Sequence, residues 1–141
     1  MIFANFKKTH PGATKPRYSL EGDGCLDLWA VSREQDEHGN FVFDTGIAME
    51  IPTGYVGLVF PRSSVTKTEL ILGNSVGVID SNYRGSIILK YTSAQRIGKS
   101  YYPGDKIGQI LIIERPTVKL REVEELSETN RGQGGFGSTG N

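Results

Sequence analysis

Glycine, proline, asparagine and aspartate recur so closely along this chain that its apolar residues are confined to short runs. Tyr55-Val56-Gly57-Leu58-Val59-Phe60, Ser86 to Thr92 and Lys106 to Glu114 are each bounded by such residues. So are Phe41-Val42-Phe43 and Ile47-Ala48-Met49-Glu50-Ile51, which flank the turn-like Asp44-Thr45-Gly46, and the stretch from Ser75 to Ile79. Short runs rich in β-branched and aromatic residues make strands, and their succession predicts an all-β sandwich or barrel rather than βαβ units. Val65 to Leu72 permits one short helical turn, although Val65, Leu70 and Ile71 equally suit a turn followed by a strand. Glycine accounts for 18 of 141 residues, about 13% against a usual value near 7%. With no collagen repeat, these glycines must serve turns, bulges or close backbone approach to a ligand.

A chain of 141 residues suits one domain with a core that needs no disulfide or metal staple. Its 16 basic and 16 acidic residues leave a net charge of 0, which argues against direct nucleic-acid binding through phosphate contacts but leaves room for a local positive pocket. Cys25 stands alone, so no intrachain disulfide framework or cysteine-rich zinc site is expected. The apolar runs are too short to span a membrane. Met1-Ile2-Phe3-Ala4-Asn5-Phe6-Lys7-Lys8 has the wrong order of charge and apolarity for a secretory signal. The expectation is a soluble, cytoplasmic protein, or one of the host-cell interior if its source is viral.

Two segments stand apart from the strand pattern. Arg33 to Asn40 is polar and ends in a Gly-Asn turn signal, so it reads as an exposed hairpin loop. From Ser127 to Asn141 the only large apolar residue is Phe136, among glycines 132, 134, 135, 137 and 140. Such a segment buries too little surface to offset its ordering entropy. The division expected is a β domain over 1–126 and a flexible Gly-rich tail over 127–141.

Several apparent motifs fail on context. Gly132-Gln133-Gly134-Gly135-Phe136-Gly137 matches G-x-G-x-x-G, but a dinucleotide site needs a strand before it and a helix after it, and only four residues follow. His10 and His38 lie in polar surroundings without metal-ligand spacing and read as surface residues. Cys25, beside Leu26 and Leu28, reads as a small packed residue rather than a nucleophile. What remains is a set of polar residues at strand ends. Pro61-Arg62-Ser63-Ser64 stops an apolar strand and suits either an anion site or an ordinary loop. Gly77 to Gly85 reads as strand, tight turn, strand, with Asp80 and Asn82 as turn formers. Pro103-Gly104-Asp105-Lys106 opens a strand from which Gln109 points. Arg131 with its glycines offers N–H donors beside a positive charge, suited to a polyphosphate, and Phe136 can stack on a base; a disordered end has the same composition.

In order and spacing, five segments together resemble the homotrimeric dUTP pyrophosphatase (dUTPase) family: Gly24-Cys25-Leu26-Asp27-Leu28, Pro61 to Ser64, Gly77 to Gly85, Gly104 to Gln109, and Arg131 to Gly140. Each is short; GVIDSNYRG followed by the distal RGQGGFGSTG carries the resemblance. It implies a jelly-roll-like all-β subunit and a homotrimer whose active sites are shared between subunits. The reaction it implies is Mg²⁺-assisted hydrolysis of dUTP to dUMP and pyrophosphate, which limits uracil in DNA and supplies dUMP for thymidylate synthesis. Asp80 resembles the general base that activates water for attack on the α-phosphorus. Tyr83 resembles the residue that packs on deoxyribose, while Asn74, Gly77, Val78 and Ile79 would read uracil. Arg62, Ser63, Ser64 and Gln109 would hold the phosphates. Arg131, Gly137 and Ser138 would close on the terminal phosphate, with Phe136 over the base. Asp27 would face the metal through water, in its outer shell. Two departures stand out: Cys25 and Leu26 replace the usual glycine and aromatic, and Ser64 stands where glycine is frequent.

The nearest rival is the dCTP deaminase family, which shares the third segment. It carries a catalytic Glu where this chain has Lys90, and an Arg where this chain has Lys67. Without that carboxylate nothing evident shuttles protons at cytosine. A binding module that has lost turnover would lack Asp80, Tyr83 or the tail, and all are present.

Overall fold

The computed structural model describes residues 1–93 and 98–137. Two antiparallel sheets face each other in a jelly-roll-like sandwich. One holds β1 (Asn5–Lys8), β4 (Phe41–Glu50), β8 (Ser86–Ser93) and β6 (Leu70–Leu72) in that order, with β3 (Ser32–Gln35) also paired to β4. The other runs β2 (Leu26–Trp29), β9 (Lys106–Glu114), β5 (Tyr55–Phe60) and β7 (Gly77–Ile79). Alternation sets the faces: in β8, Ile87, Leu89 and Tyr91 are buried while Ile88, Lys90 and Thr92 point outward.

The core is sealed by an aromatic trio. Phe43 meets Tyr91 edge-on at 5.8 Å and Tyr101 at 6.3 Å, and the two tyrosines are 6.0 Å apart. Such pairs each add about 0.5–1.5 kcal/mol beyond area burial. The Tyr91 hydroxyl donates to the Ile107 carbonyl at 2.5 Å, tying β8 to β9 across the sandwich. Burial, and then the neighbouring Tyr101, push the Tyr91 phenol upward, so it stays protonated and donating.

The structure redraws three local expectations and resolves a fourth, the Val65 to Leu72 turn, within the alternatives given. Phe41 to Phe43 and Ile47 to Ile51 are not separate strands around a turn; Phe41–Glu50 is one strand with a register shift between Asp44 and Ala48. The supposed turn is a bulge. Gly46 takes φ 63 and donates its N–H to Asp44 Oδ1 at 2.7 Å, while Thr45 is buried and donates to the Ile87 carbonyl at 2.8 Å. A side chain at Gly46 would also lie 2.8 Å from His10 Cβ. The bend lets β3 pair with the first half of β4 and β1 with the second. In the polar loop, Arg33, Glu34 and Gln35 are strand, because Arg33 stacks on Phe41 and Tyr102 and so gains packing from a charged side chain. Val65 to Leu72 resolves as a 3₁₀ turn, Ser63–Lys67, followed by β6. Ser75 at φ 62 delays the next strand until Gly77.

The last strand ends at Glu114, and 115–137 carry no strand; Val118, Leu120 and Leu126 lie exposed there.

Candidate active site

β7 is an edge strand, paired to β5 through Gly57–Ile79, Leu58–Val78 and Val59–Gly77. Among the described residues no strand pairs with its other edge, so backbone N–H and C=O groups there are available to a ligand. Asn74, Gly77, Val78, Ile79, Asp80 and Tyr83 line one cavity of about 580 Å³, whose far wall is the outer face of β8 at Ile88 and Lys90. That volume suits a nucleoside. The turn beyond β7 is fastened from within: Tyr83 N–H donates to the Asp80 carbonyl at 3.1 Å, and Tyr83 hydroxyl to the Ser86 carbonyl at 3.0 Å. Arg84 adds bonds to the Ser81 and Tyr83 carbonyls and an ion pair to Glu50 at 3.2 Å. A Cβ at Gly85 would strike the folded-back Tyr83 ring, so a side chain there would displace that ring from its place over the turn. Among the described residues the Asp80 carboxylate accepts no hydrogen bond and has no ion pair, so an exposed, unneutralised oxygen sits at the cavity lip.

Lys90 on the opposite wall pairs with Asp36 at 3.2 Å. Hydrogen bonds from the Asn40 side chain, its backbone and Lys90 hold the Asp36 carboxyl down to about 2. A cation stands where a deaminase would need its carboxylate.

A second cavity, of about 770 Å³, has a cationic lining that includes Arg62, Lys67, Lys99 and Lys106, with Ser64 and Tyr101 among its polar groups. Behind it lies Asp27, buried on β2. Its Oδ1 receives Arg62 Nε at 2.8 Å; its Oδ2 receives Lys106 Nζ at 2.8 Å and the Ser19 hydroxyl at 2.5 Å. Burial opposes ionisation of Asp27, but the Lys106 and Ser19 hydrogen bonds and the Arg62 and Lys106 charges outweigh it, leaving the carboxyl below its usual value. A carboxyl that is more acidic when folded stabilises the fold above its unfolded value of about 3.9, and that stability is lost as pH falls through the lower folded value. Urea midpoints should therefore separate the parent from Asp27→Asn at neutral pH and converge in acid; a gap unchanged down to about pH 2 would show that the ion pairs contribute nothing.

The other expected site residues are dispersed. Ser63 is exposed at the start of the 3₁₀ turn. Gln109 donates its amide to the Pro61 carbonyl at 3.0 Å, bracing the loop that carries Arg62, and lines neither cavity. Arg131 folds on its own turn, donating from Nε to the Gly134 carbonyl at 3.0 Å. Phe136, at φ 52, and Gly137 are exposed, and no residue of 131–137 lines either cavity. Ser138 lies outside the described residues. Lys106, Ser19 and Tyr101 were not singled out from the sequence as site residues. The β2–β9 pairing sets Trp29 opposite Lys106, and a register shift between Leu28 and Trp29 lets Lys106 reach Asp27 as well, a relation no local motif displays.

No group of three or more metal-ligating side chains occurs among the described residues. Three of roughly four acceptor directions on Asp27 are taken, so Asp27 has one direction left for a further donor or ligand.

Comparison with known proteins identifies the family. The dUTPase family model matches residues 12–140. The deoxyuridine 5'-triphosphate nucleotidohydrolase of Escherichia phage T5 is 42% identical, over 95% of this chain and 96% of the relative. That of Dictyoglomus turgidum is 38% identical over 89% of each. Among solved structures, a mutant dUTPase of Staphylococcus bacteriophage 80alpha with dUpNHpp superposes at TM-score 0.82, with 26% identity over 99% of both chains. A mutant dUTPase of S. aureus phage phi11, described with a structural Mg(II) ion, does so at 0.73, with 25% identity over 88% of this chain and 98% of that one. With its two-sheet fold, its third segment around an open carboxylate and a family match over nearly its whole length, the chain belongs to the dUTPase family.

Proposed function

We propose that this chain hydrolyses dUTP to dUMP and pyrophosphate in an active site assembled from three copies of itself. The observation that carries the reading is the division of labour between the two cavities. Base- and sugar-sized space with an open carboxylate lies in one, where the single lysine, Lys90, is paired with Asp36; Arg62, Lys67, Lys99 and Lys106 line the other, and no residue lines both. A substrate with a nucleoside at one end and a triphosphate at the other needs both features side by side. Neighbouring subunits would supply them, with a tail whose described part lines neither cavity of its own chain.

Uracil would pair with the free edge of β7, helped by the Asn74 amide. Tyr83 would cover the deoxyribose and leave no room for a 2'-hydroxyl. Arg62, Ser63, Ser64 and Lys106 would hold the phosphates by charge-assisted hydrogen bonds, with Gln109 keeping the Arg62 loop in place. Asp80 would take a proton from water as its oxygen bonds to the α-phosphorus. The α–β bridging bond breaks and pyrophosphate leaves. Mg²⁺ carried on the triphosphate would neutralise charge, with Asp27 reaching only its outer waters. Arg131, Gly137 and Ser138 would close over the terminal phosphate and Phe136 over the base. We place this activity in the cytoplasm, or in the host-cell interior for a viral source, consistent with the single free Cys25.

Pyrophosphate release measured across dUTP, dCTP, dTTP and UTP tests the reading. Only dUTP should react appreciably. Cytosine reverses the donor–acceptor pattern and strands buried polar groups, which can discriminate by about 10⁴ or more. Comparable turnover of dCTP would overturn the base assignment.

A further inference from the structure

We propose that Tyr101 is a positioning residue for phosphate binding: its hydroxyl aims the Ser64 hydroxyl into the cationic cavity. The inference rests on the functional reading above and concerns a residue that no segment of the resemblance contains.

Tyr101 is buried, and its ring is locked edge-on against Phe43 and Tyr91. A ring held from two sides has almost no freedom to redirect its hydroxyl oxygen. That oxygen lies 3.1 Å from Ser64 Oγ, and both residues line the cavity that also presents Arg62 and Lys106. Tyr101 hydroxyl has no other hydrogen-bond partner among the described residues. The contact geometry permits either hydroxyl to donate; we take Tyr101 as donor and Ser64 Oγ as acceptor, which gives the buried phenol its acceptor. The serine proton is then left to point elsewhere. Ser64 sits on the 3₁₀ turn directly after Arg62, whose Nε is fixed on Asp27. The free serine proton therefore faces a cavity bordered by positive charge, the place for an anionic oxygen. Donation from Tyr101 also polarises the serine O–H, making it a better donor to phosphate.

The chain's single tryptophan supplies a readout. Lys106 Nζ lies 5.3 Å from the centre of the Trp29 ring, so an anion drawing on Lys106 should alter Trp29 fluorescence. The probes are inorganic tripolyphosphate, followed by Trp29 emission, and deoxyuridine, followed by calorimetry. Steady-state pyrophosphate release from dUTP accompanies them. Tyr101→Phe should weaken tripolyphosphate binding and lower kcat/KM by about three- to tenfold, with deoxyuridine affinity unchanged. In a Ser64→Ala background the same change should add nothing. Ser64→Thr, which keeps a hydroxyl, should restore sensitivity to Tyr101→Phe. A loss of equal size with and without the Ser64 hydroxyl, or an equal loss of deoxyuridine affinity, would reduce Tyr101 to packing and overturn the proposal. If Tyr101→Phe does not fold, Ser64→Ala against Ser64→Thr decides it: equal tripolyphosphate affinity in the two refutes the aimed hydroxyl. If the parent releases no pyrophosphate from dUTP, the reaction assigned above falls, while the tripolyphosphate arm still judges Tyr101.

Discussion

Asp80→Asn leaves dUTP bound and lowers turnover by a factor of about 10²–10⁴, the range a positioned general base contributes. Asparagine keeps the shape of the side chain and removes its capacity to take a proton. The fold has little stake in the exchange, since the Asp80 carboxylate has no partner among the described residues and the turn is held by the backbone of Asp80, by Tyr83 and by Arg84. Binding and chemistry should therefore separate. Calorimetry with dUpNHpp should return an affinity near that of the parent, while single-turnover pyrophosphate release collapses. A variant that keeps the parental rate removes Asp80 as the base, whatever else lines the cavity.

Deleting 131–141 should produce a loss of comparable size by a different route. The deleted stretch includes Arg131 and the glycine-rich turn, and its described part touches neither cavity, so the sandwich should melt at the parental temperature. What disappears is an arginine, a row of backbone donors and an aromatic cover for the base. Removing even one preorganised donor to developing charge costs about 10²–10³ in kcat. The shared-site reading adds a sharper expectation. Mixing the truncated chain with an Asp80→Asn chain should restore part of the activity, because some mixed trimers would combine an intact carboxylate with an intact tail. Full activity of the truncated protein alone would end the account of the tail as a lid.

Some of the fold was legible because it depends on neighbours in sequence. Tyr55–Phe60 and Lys106–Glu114 are strands over the bounds their flanking Gly, Pro and Asp residues suggest. Asp44-Thr45-Gly46 misled because its composition is that of a turn. Whether such a tripeptide reverses the chain or bulges within a strand depends on β8, whose Ile87 carbonyl receives the Thr45 hydroxyl. β1 was invisible for the opposite reason. Asn5–Lys8 is exposed throughout, so no apolar alternation marks it, and only pairing with Ile47 to Glu50 makes it a strand.

The same division runs through the site. Order and spacing along the chain were enough to single out Asp80, Tyr83 and the β7 edge, because one continuous segment carries them and a tight turn brings them together. Linear order also determined the all-β class, through punctuation that allows strands and little else. It did not reveal that Asp27 is engaged by Arg62, Lys106 and Ser19, that Gln109 is engaged by Pro61, or that Tyr101 reaches Ser64. Those relations join residues distant in sequence, and only pairing of β2 with β9 and closure of the two sheets brings them within bonding distance. Hydrogen bonds and ion pairs act over a few ångströms, so which polar groups meet is decided by tertiary packing, while what each group can do once it is there was already set by its residue type.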